Sequence, residues 1–147
     1  MANTSPSPTP EAIDAWARLI RAAQGALAAV ERDLKREGFP PLAWYDALLE
    51  LRRADEGSLR PYELQRAMLL EQYNLSRLTD RLVKAGYVER RPYPGDGRGH
   101  VLKIRPAGQD LLKAMWPAYE RAISAHFAER LGERDAAKLG AILKKLL

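Results

Sequence analysis

The sequence predicts a mainly α-helical fold with a small β-hairpin, and three observations carry that prediction. Apolar residues recur at three- and four-residue spacing towards both ends of the chain, which is typical of long amphipathic helices. The middle of the chain contains two short helical patterns separated by a few residues. Two short segments rich in β-forming residues follow, joined by the glycine-rich string PGDGRG.

Composition excludes several classes of site. The chain of 147 residues has no cysteine, which excludes disulfides, thiolate zinc sites and cysteine redox sensing and allows the cytoplasmic location that we expect. The two histidines, His100 and His126, lie in separate segments, so we expect no metal site and no cofactor. No apolar run is long enough to span a membrane, and we expect no membrane partner.

The N-terminal region predicts a tail followed by one long helix. The start, MANTSPSPTPEA, lacks the features of a signal peptide, and we expect residues 1–10 to be a disordered tail. Thr9 and Pro10 then provide a capping hydroxyl and a first-turn proline in the expected order. The helix over 11–38 ends at Gly38, and its apolar stripe comprises Ile13, Trp16, Ile20, Ala23, Leu27, Val30 and Leu34.

The middle of the chain predicts a helix-turn-helix. One helix is expected from about Leu42 to Arg53, and a second begins at RPYELQRAM with Pro61 in its first turn. The next, EQYNLSRLTDRLVKAG, ends at Gly86 and carries basic residues on exposed positions. Its apolar stripe comprises Leu75, Leu78, Leu82 and Val83. Two short helices of this kind are typical of a helix-turn-helix.

The glycine-rich string has two interpretations, a phosphate-binding loop or the tip of a hairpin. A phosphate loop needs a strand before the glycines and a helix after them, because the free N–H groups of the helix bind the anion. Here the strand-like segment HVLKIR follows, and no Gly-Lys-Ser/Thr is present. The order favours a hairpin, which makes 42–105 a winged helix-turn-helix domain. Helices over 106–147 follow it, one opening at Pro106 and the last at about Glu133.

The basic charge of the chain lies in this winged segment. Between Arg60 and Arg105 there are ten Arg and Lys residues against five Asp and Glu residues, which accounts for the whole net charge of +5. The segment is therefore suited to an anionic partner. Arg98 at the hairpin tip would suit the narrow minor groove of DNA. The alternative, that Arg98 only pairs with Asp96 in a solvated turn, is compatible with this role, since the pair would anchor the wing.

The string LSRLTDRLVKAGYVERR followed by DGRGHVLKIRPAG resembles the MarR family of bacterial transcription regulators. The family's wing signature is matched in spacing by Asp96, Arg98, Leu102, Ile104 and Gly108. The resemblance implies a sequence-specific DNA-binding transcriptional regulator, a ligand-responsive repressor that binds a pseudo-palindromic operator. It also implies a homodimer in which the terminal segments 11–38 and 106–147 of the two subunits interlock.

The resemblance further implies which residues contact double-stranded DNA. The recognition helix is expected to begin near Glu71. The side chains expected to reach base edges are Gln72, Tyr73, Ser76 and Arg77. The residues expected to contact phosphates are Arg60, Arg90, Arg91 and Lys103. For Arg77 an alternative is an ion pair with Asp80 or Asp96.

Members of the family often respond to small aromatic or phenolic carboxylates, which implies a candidate ligand pocket. Its expected lining comprises Trp16, Ile20, Trp44, Tyr45, Met115, Trp116 and Tyr119. Arg18 or Arg21 would pair with the carboxylate. The alternative is that these aromatic and Met residues, which lie at helical spacing, belong to an ordinary core.

Two other classes of function are weighed against DNA binding. A winged helix that binds only protein partners is one alternative, and the basic excess in the winged segment argues against it. The other is an enzyme, but the sequence has no nucleophile with a matching base, no paired carboxylates and no cofactor fingerprint. We therefore expect the chain not to be an enzyme.

Overall fold

The computed structural model describes residues 5–95, 97 and 99–147 of the chain. Its helices are α1 (Pro10–Arg36), α2 (Leu42–Arg53), α3 (Pro61–Ala67), α4 (Leu75–Lys84), α5 (Pro106–Ile123), α6 (Glu129–Leu131) and α7 (Glu133–Leu143). Its strands are β1 (Ser58–Leu59), β2 (Val88–Pro92) and β3 (His100–Ile104), which form one antiparallel sheet in the order β1-β3-β2. This confirms the mainly α-helical fold with a hairpin wing.

The chain divides into two compact units. One, here called the winged unit, comprises Asp33–Arg121 and contains α2 to α4 and the sheet. The other, the terminal unit, comprises the chain up to Arg32 together with Ala122–Leu147. No helix in the described part of the chain is both long and apolar enough to cross a membrane.

The terminal unit carries most of α1, and this helix begins as its sequence predicts. The hydroxyl of Thr9 accepts a hydrogen bond from the backbone N–H of Ala12 at 3.1 Å, which caps the first turn. After α5, a π-helical segment over Ser124–Ala128 leads to α6 and α7. The unit exposes many large apolar side chains, among them Ile13, Trp16, Ile20, Leu27, Phe127 and Ile142.

The winged unit has an apolar core made by its helices and its sheet. The largest fully buried side chains are Leu34, Leu48, Leu51, Leu64, Leu82, Val88, Leu102, Leu112 and Met115. Helix α2 has the predicted bounds, Leu42–Arg53. Gly86 follows α4 with φ at +83°, a conformation that favours glycine, and its N–H donates to the carbonyl of Val83. The prediction that this helix ends at Gly86 is thereby confirmed.

The hairpin also follows the prediction, with one addition. Strands β2 and β3 pair from Val88 opposite Ile104 to Pro92 opposite His100. The third strand, β1, was not predicted, and it pairs Leu59 with Leu102. Two residues are too short to show the alternation by which a strand is recognised in sequence. The tip residues Asp96 and Arg98 lie outside the described residues.

The predicted start of the recognition helix near Glu71 is wrong. Helix α4 begins at Leu75, because the side-chain oxygen of Asn74 accepts the backbone N–H of Arg77 at 3.0 Å. An asparagine in this role marks the residue before a helix rather than its interior. Gln72 and Tyr73 therefore lie in the turn between α3 and α4.

Gly108, in the first turn of α5, allows this helix to lie against the hairpin. A Cβ at this position would be 2.5 Å from the carbonyl oxygen of Tyr87 and 2.9 Å from Cγ1 of Ile104. Both distances are shorter than ordinary van der Waals contact, and the nearer atom belongs to the backbone. Glycine at this position is thus required by packing.

We predict that Gly108→Ala lowers the free energy of unfolding by about 1 to 3 kcal/mol, because the added methyl group overpacks this contact. The measurement is urea unfolding followed by circular dichroism. The control is Gly25→Ala in α1, where an added Cβ meets nothing within 4 Å. The control should raise stability by about 0.5 to 1 kcal/mol, as expected for a helix interior. An equal effect of the two substitutions would contradict the packing argument.

Candidate nucleic-acid interface

Helix α4 presents one polar stripe while its other face is buried. Leu75, Leu78 and Leu82 are buried, and so is Thr79, whose hydroxyl donates to the carbonyl of Ser76 at 3.0 Å. The exposed residues recur at the spacing of one helix face, and they are Ser76, Arg77, Asp80, Arg81 and Lys84. The stripe therefore carries three basic side chains, a hydroxyl and one carboxylate to the surface.

A groove of about 490 Å³ lies beside this stripe, between α3, α4 and the wing. Its lining includes Tyr62, Gln65, Tyr73, Ser76, Arg90 and His100. Tyr73 is fully exposed in the turn that precedes α4, and Gln72 beside it is half-buried. Of the residues predicted to contact DNA, the groove brings together Tyr73, Ser76 and Arg90.

The two arginines of β2 form ion pairs with acidic neighbours. Arg90 on β2 forms an ion pair with Asp80 on α4, which ties the wing to that helix. Arg91 pairs with Glu89 at 2.7 Å; the Arg91 side chain is exposed and that of Glu89 is half-buried. The alternative partner for Arg77, Asp80, is thus occupied by Arg90. Lys103 lies on β3, half-buried, opposite Glu89 in the pairing of the strands.

Arg60 precedes α3 and reaches Tyr93, which follows β2 at the tip end of the hairpin. Its backbone N–H donates to a side-chain oxygen of Glu63 at 3.2 Å, which caps the helix. Its guanidinium carbon lies 4.3 Å from the ring centroid of Tyr93 and 5.6 Å from that of Tyr62. Both distances allow cation–π attraction. The two rings therefore hold this positive charge between α3 and the wing.

Asp46 on α2 is a functional candidate that the sequence analysis missed. Its carboxylate is buried, and its two oxygens accept the backbone N–H groups of Leu69 at 3.0 Å and Leu70 at 2.6 Å. Both donors belong to the turn between α3 and α4. One signal was available in the sequence. Leu42, Tyr45 and Leu48 place one face of α2 in the core, and an acidic residue beside that face needs a hydrogen-bond partner.

A second, larger crevice of about 720 Å³ lies elsewhere in the winged unit. Three stacked rings form part of its wall, with Tyr45 5.2 Å from Tyr119 and 6.4 Å from Trp116 between ring centroids. Arg52, Arg53 and Lys113 add positive charge, and Glu50 pairs with Arg53 at 3.3 Å. The crevice thus combines aromatic surface with cationic groups.

The Tyr45 phenol stays protonated at neutral pH. Burial raises the pKa of this group above its usual value of 10.0, while Arg52 and Arg53 act on it in the opposite direction. The phenol is therefore available as a hydrogen-bond donor in the crevice wall.

Of the seven residues predicted to line a ligand pocket, Tyr45, Trp116 and Tyr119 line this crevice. Met115 is fully buried in the core, and the ring of Trp44 packs edge-on against Tyr87 with 6.0 Å between centroids. The remaining two, Trp16 and Ile20, are exposed in the terminal unit.

Two arginines on α1, Arg18 or Arg21, were predicted to pair with a ligand carboxylate. Arg18 pairs instead with Asp14 at 2.7 Å, and Arg21 is exposed on the same helix. The described residues contain no group of three or more His, Asp or Glu side chains that could hold a metal ion.

We predict that Asn74→Ala lowers the free energy of unfolding by about 1 kcal/mol, because the N–H of Arg77 loses its partner at the start of α4. Asn74→Ser, which retains a capping oxygen, should cost only a few tenths of a kcal/mol. Urea unfolding of the two variants checks this. The capping role would be refuted by equal stabilities of the Ala and Ser variants.

Comparison with known protein families gives one match. The sequence model of a protein family described as the MarR family matches residues 37–99 of the chain. This range contains α2, α3, α4, β1 and β2. The match thus falls on the winged unit and on the candidate interface.

Two curated relatives show how far the sequence similarity extends. The chain is 31% identical over 139 residues to the uncharacterized HTH-type transcriptional regulator Mb0904 of Mycobacterium bovis, covering 89% of this chain and 93% of that protein. It is 30% identical over 91 residues to the multiple antibiotic resistance protein MarR of Salmonella typhimurium. That match covers 62% of this chain and 63% of the relative, so the chain spans less than two thirds of its length.

Among solved structures, Sco3205 of Streptomyces coelicolor, a MarR family transcriptional regulator in complex with DNA, superimposes with a TM-score of 0.85. Its sequence is 28% identical, and the match covers 98% of this chain and 91% of that one. The similarity therefore includes the terminal helices as well as the winged unit.

Proposed function

The chain belongs to the MarR family, and from that premise we propose that it is a sequence-specific DNA-binding transcriptional regulator. The observation that carries the proposal is the basic, exposed stripe of α4 beside a hairpin wing. A helix of this kind fits the major groove while the wing follows the backbone. The relative Sco3205 was solved with DNA, which supports the same partner here. The proposed role is regulatory and not enzymatic, and its place is the cytoplasm.

The proposed DNA contacts are of two kinds: contacts to base edges, which recognise the sequence, and contacts to phosphates, which position the protein on the duplex. Ser76 and Arg77 on α4, with Gln72 and Tyr73 in the preceding turn, are proposed to reach base edges. Their exposure in or beside the groove supports this, although Gln72 is half-buried. The residues proposed to contact phosphates are Arg60, Arg90, Arg91 and Lys103. Arg90 would also keep the wing in place through its ion pair with Asp80.

The wing tip is proposed to enter the minor groove. Arg98 would supply the positive charge there, and Asp96 would anchor it. Support comes from the hairpin that carries them, in which the N–H of Tyr93 donates to the carbonyl of Gly99 at 3.0 Å. This bond joins the two residues that come before and after the segment 94–98 in the sequence.

The active form is proposed to be a homodimer. The terminal unit exposes Trp16 at 66% and Ile13 at 55% on the apolar stripe of α1, and Phe127 and Ile142 near the other end of the chain. A monomer would leave this apolar surface in water, whereas a second copy would bury it. A two-fold dimer reads a pseudo-palindrome with half-sites about one helical turn apart. Bound over a promoter, it would exclude polymerase and act as a repressor.

The larger crevice is proposed to bind a small aromatic or phenolic carboxylate. The stacked rings of Tyr45, Trp116 and Tyr119 offer a flat apolar wall, and Arg52 offers a charge for the carboxylate. Such a ligand alters DNA binding only if it prefers one of two conformations. A coupling of about 1 to 3 kcal/mol is typical of such switches.

We predict that binding to a duplex selected by this protein weakens steeply with salt, with a logarithmic slope of about −7 to −9, as expected for eight to ten phosphate contacts. Arg98→Ala should weaken the affinity about tenfold and make the slope shallower by about two, because a dimer loses two of these charges. The measurement is fluorescence anisotropy over a salt series.

The matched control is Arg21→Ala, which removes the same charge from the polar side of α1, outside the winged unit. It should leave both the affinity and the slope unchanged. An unchanged affinity of the Arg98→Ala variant would refute the proposed role of the wing.

We predict that 2-hydroxybenzoate binds to the chain and that Arg52→Gln weakens this binding about tenfold, because the variant loses a charge-assisted hydrogen bond. Isothermal titration calorimetry measures both affinities. Arg105→Gln, an exposed arginine that does not line the crevice, is the control and should bind as the unaltered chain does. Equal affinities of the two variants would place the ligand elsewhere.

A further inference from the structure

Asp46 is unusual among the described residues because it is an acidic residue only 5% exposed whose carboxylate accepts two hydrogen bonds from consecutive backbone groups. One oxygen accepts the N–H of Leu69, and the other accepts that of Leu70. A buried carboxylate is costly unless such donors satisfy it. The carboxylate and the two N–H groups therefore depend on each other.

The two donors belong to the segment that joins the helices of the helix-turn-helix. Helix α3 ends at Ala67 and α4 begins at Leu75, so Leu69 and Leu70 lie in neither helix. A carboxylate that accepts with both oxygens fixes the orientation of two adjacent peptide planes. A single acceptor atom would fix only one of them. The course of the turn is thus set by a side chain from a third helix, α2.

The residues just after this turn are among those proposed to read DNA. Gln72 and Tyr73 come two and three residues after Leu70, and Asn74 then caps α4. A change in the turn would move these side chains relative to the buried face of α4. Contacts to base edges need close geometry, whereas attraction to phosphates depends mainly on charge.

We propose that Asp46 is a positioning residue for base reading, acting through the amides of Leu69 and Leu70 and without touching DNA. This inference rests on the proposed function. It assigns to Asp46 a specific effect on sequence discrimination. General affinity for duplex DNA should not depend on it, because the basic residues of α4 and the wing are unchanged.

The test is Asp46→Asn, which nearly conserves shape but replaces one acceptor oxygen by an NH₂ group that cannot accept. Affinity is measured for a selected operator duplex and for a random duplex of equal length. We expect about a tenfold loss on the operator and less than a twofold change on the random duplex. The matched control is Asp110→Asn, the same substitution at an exposed position of α5 that lines neither the groove nor the crevice, and it should change neither affinity.

Two outcomes would overturn the inference. If the variant binds the operator as tightly as the unaltered chain does, the turn does not need Asp46. If affinity falls equally for both duplexes, Asp46 does not act on the recognition of base sequence. If the unaltered chain itself shows no preference for any duplex, the proposed function fails instead.

A second measurement on the unaltered chain does not depend on how the variant folds. Backbone amide hydrogen exchange should show protection at Leu69 and Leu70, although neither lies in a helix or strand. Exchange of these two amides at the rate of an unprotected loop would overturn the inference.

Discussion

A buried carboxylate requires donors, and in the winged unit those of Asp46 come from the turn of the helix-turn-helix. This constraint joins α2 to the segment that leads into α4. The cap at Asn74 acts next in the chain and fixes where α4 begins. Together the two interactions determine which side chains of α4 and its preceding turn reach the surface. The candidate interface therefore depends on the buried Asp46, which lies outside the groove, as well as on the cap at Asn74 within it.

The wing is held by interactions of a different kind. The sheet pairs β3 with both β1 and β2, and Gly108 lets α5 approach the carbonyl of Tyr87. At the surface, Arg90 pairs with Asp80 of α4, and Arg60 lies over the ring of Tyr93. The Arg90–Asp80 ion pair is exposed enough to contribute little to stability, and the Arg60 contact is half-buried. Their effect is to orient positive charges that would otherwise move freely.

Local signals explain what could be predicted from the sequence. Pro61 and Gly86 marked helix ends, and the segment YVERRPY followed by HVLKIR marked a hairpin, because turn and cap chemistry acts over a few residues. Strand β1 was missed because two residues show no period. The contacts of Asp46 and the place of Arg52 in the crevice were missed because they depend on segments distant in the chain, which spacing within one helix does not reveal. Trp16 and Ile20 were grouped with Tyr45 by residue type, although they belong to the other unit.

The central claim is that this chain reads a DNA sequence as a two-fold dimer. Repeated selection of bound duplexes from a random-sequence library, followed by sequencing, tests it most directly. The account predicts enrichment of a pseudo-palindrome whose half-sites lie about 10 base pairs apart, centre to centre. A bound pool with the same sequence composition as the starting library would contradict it.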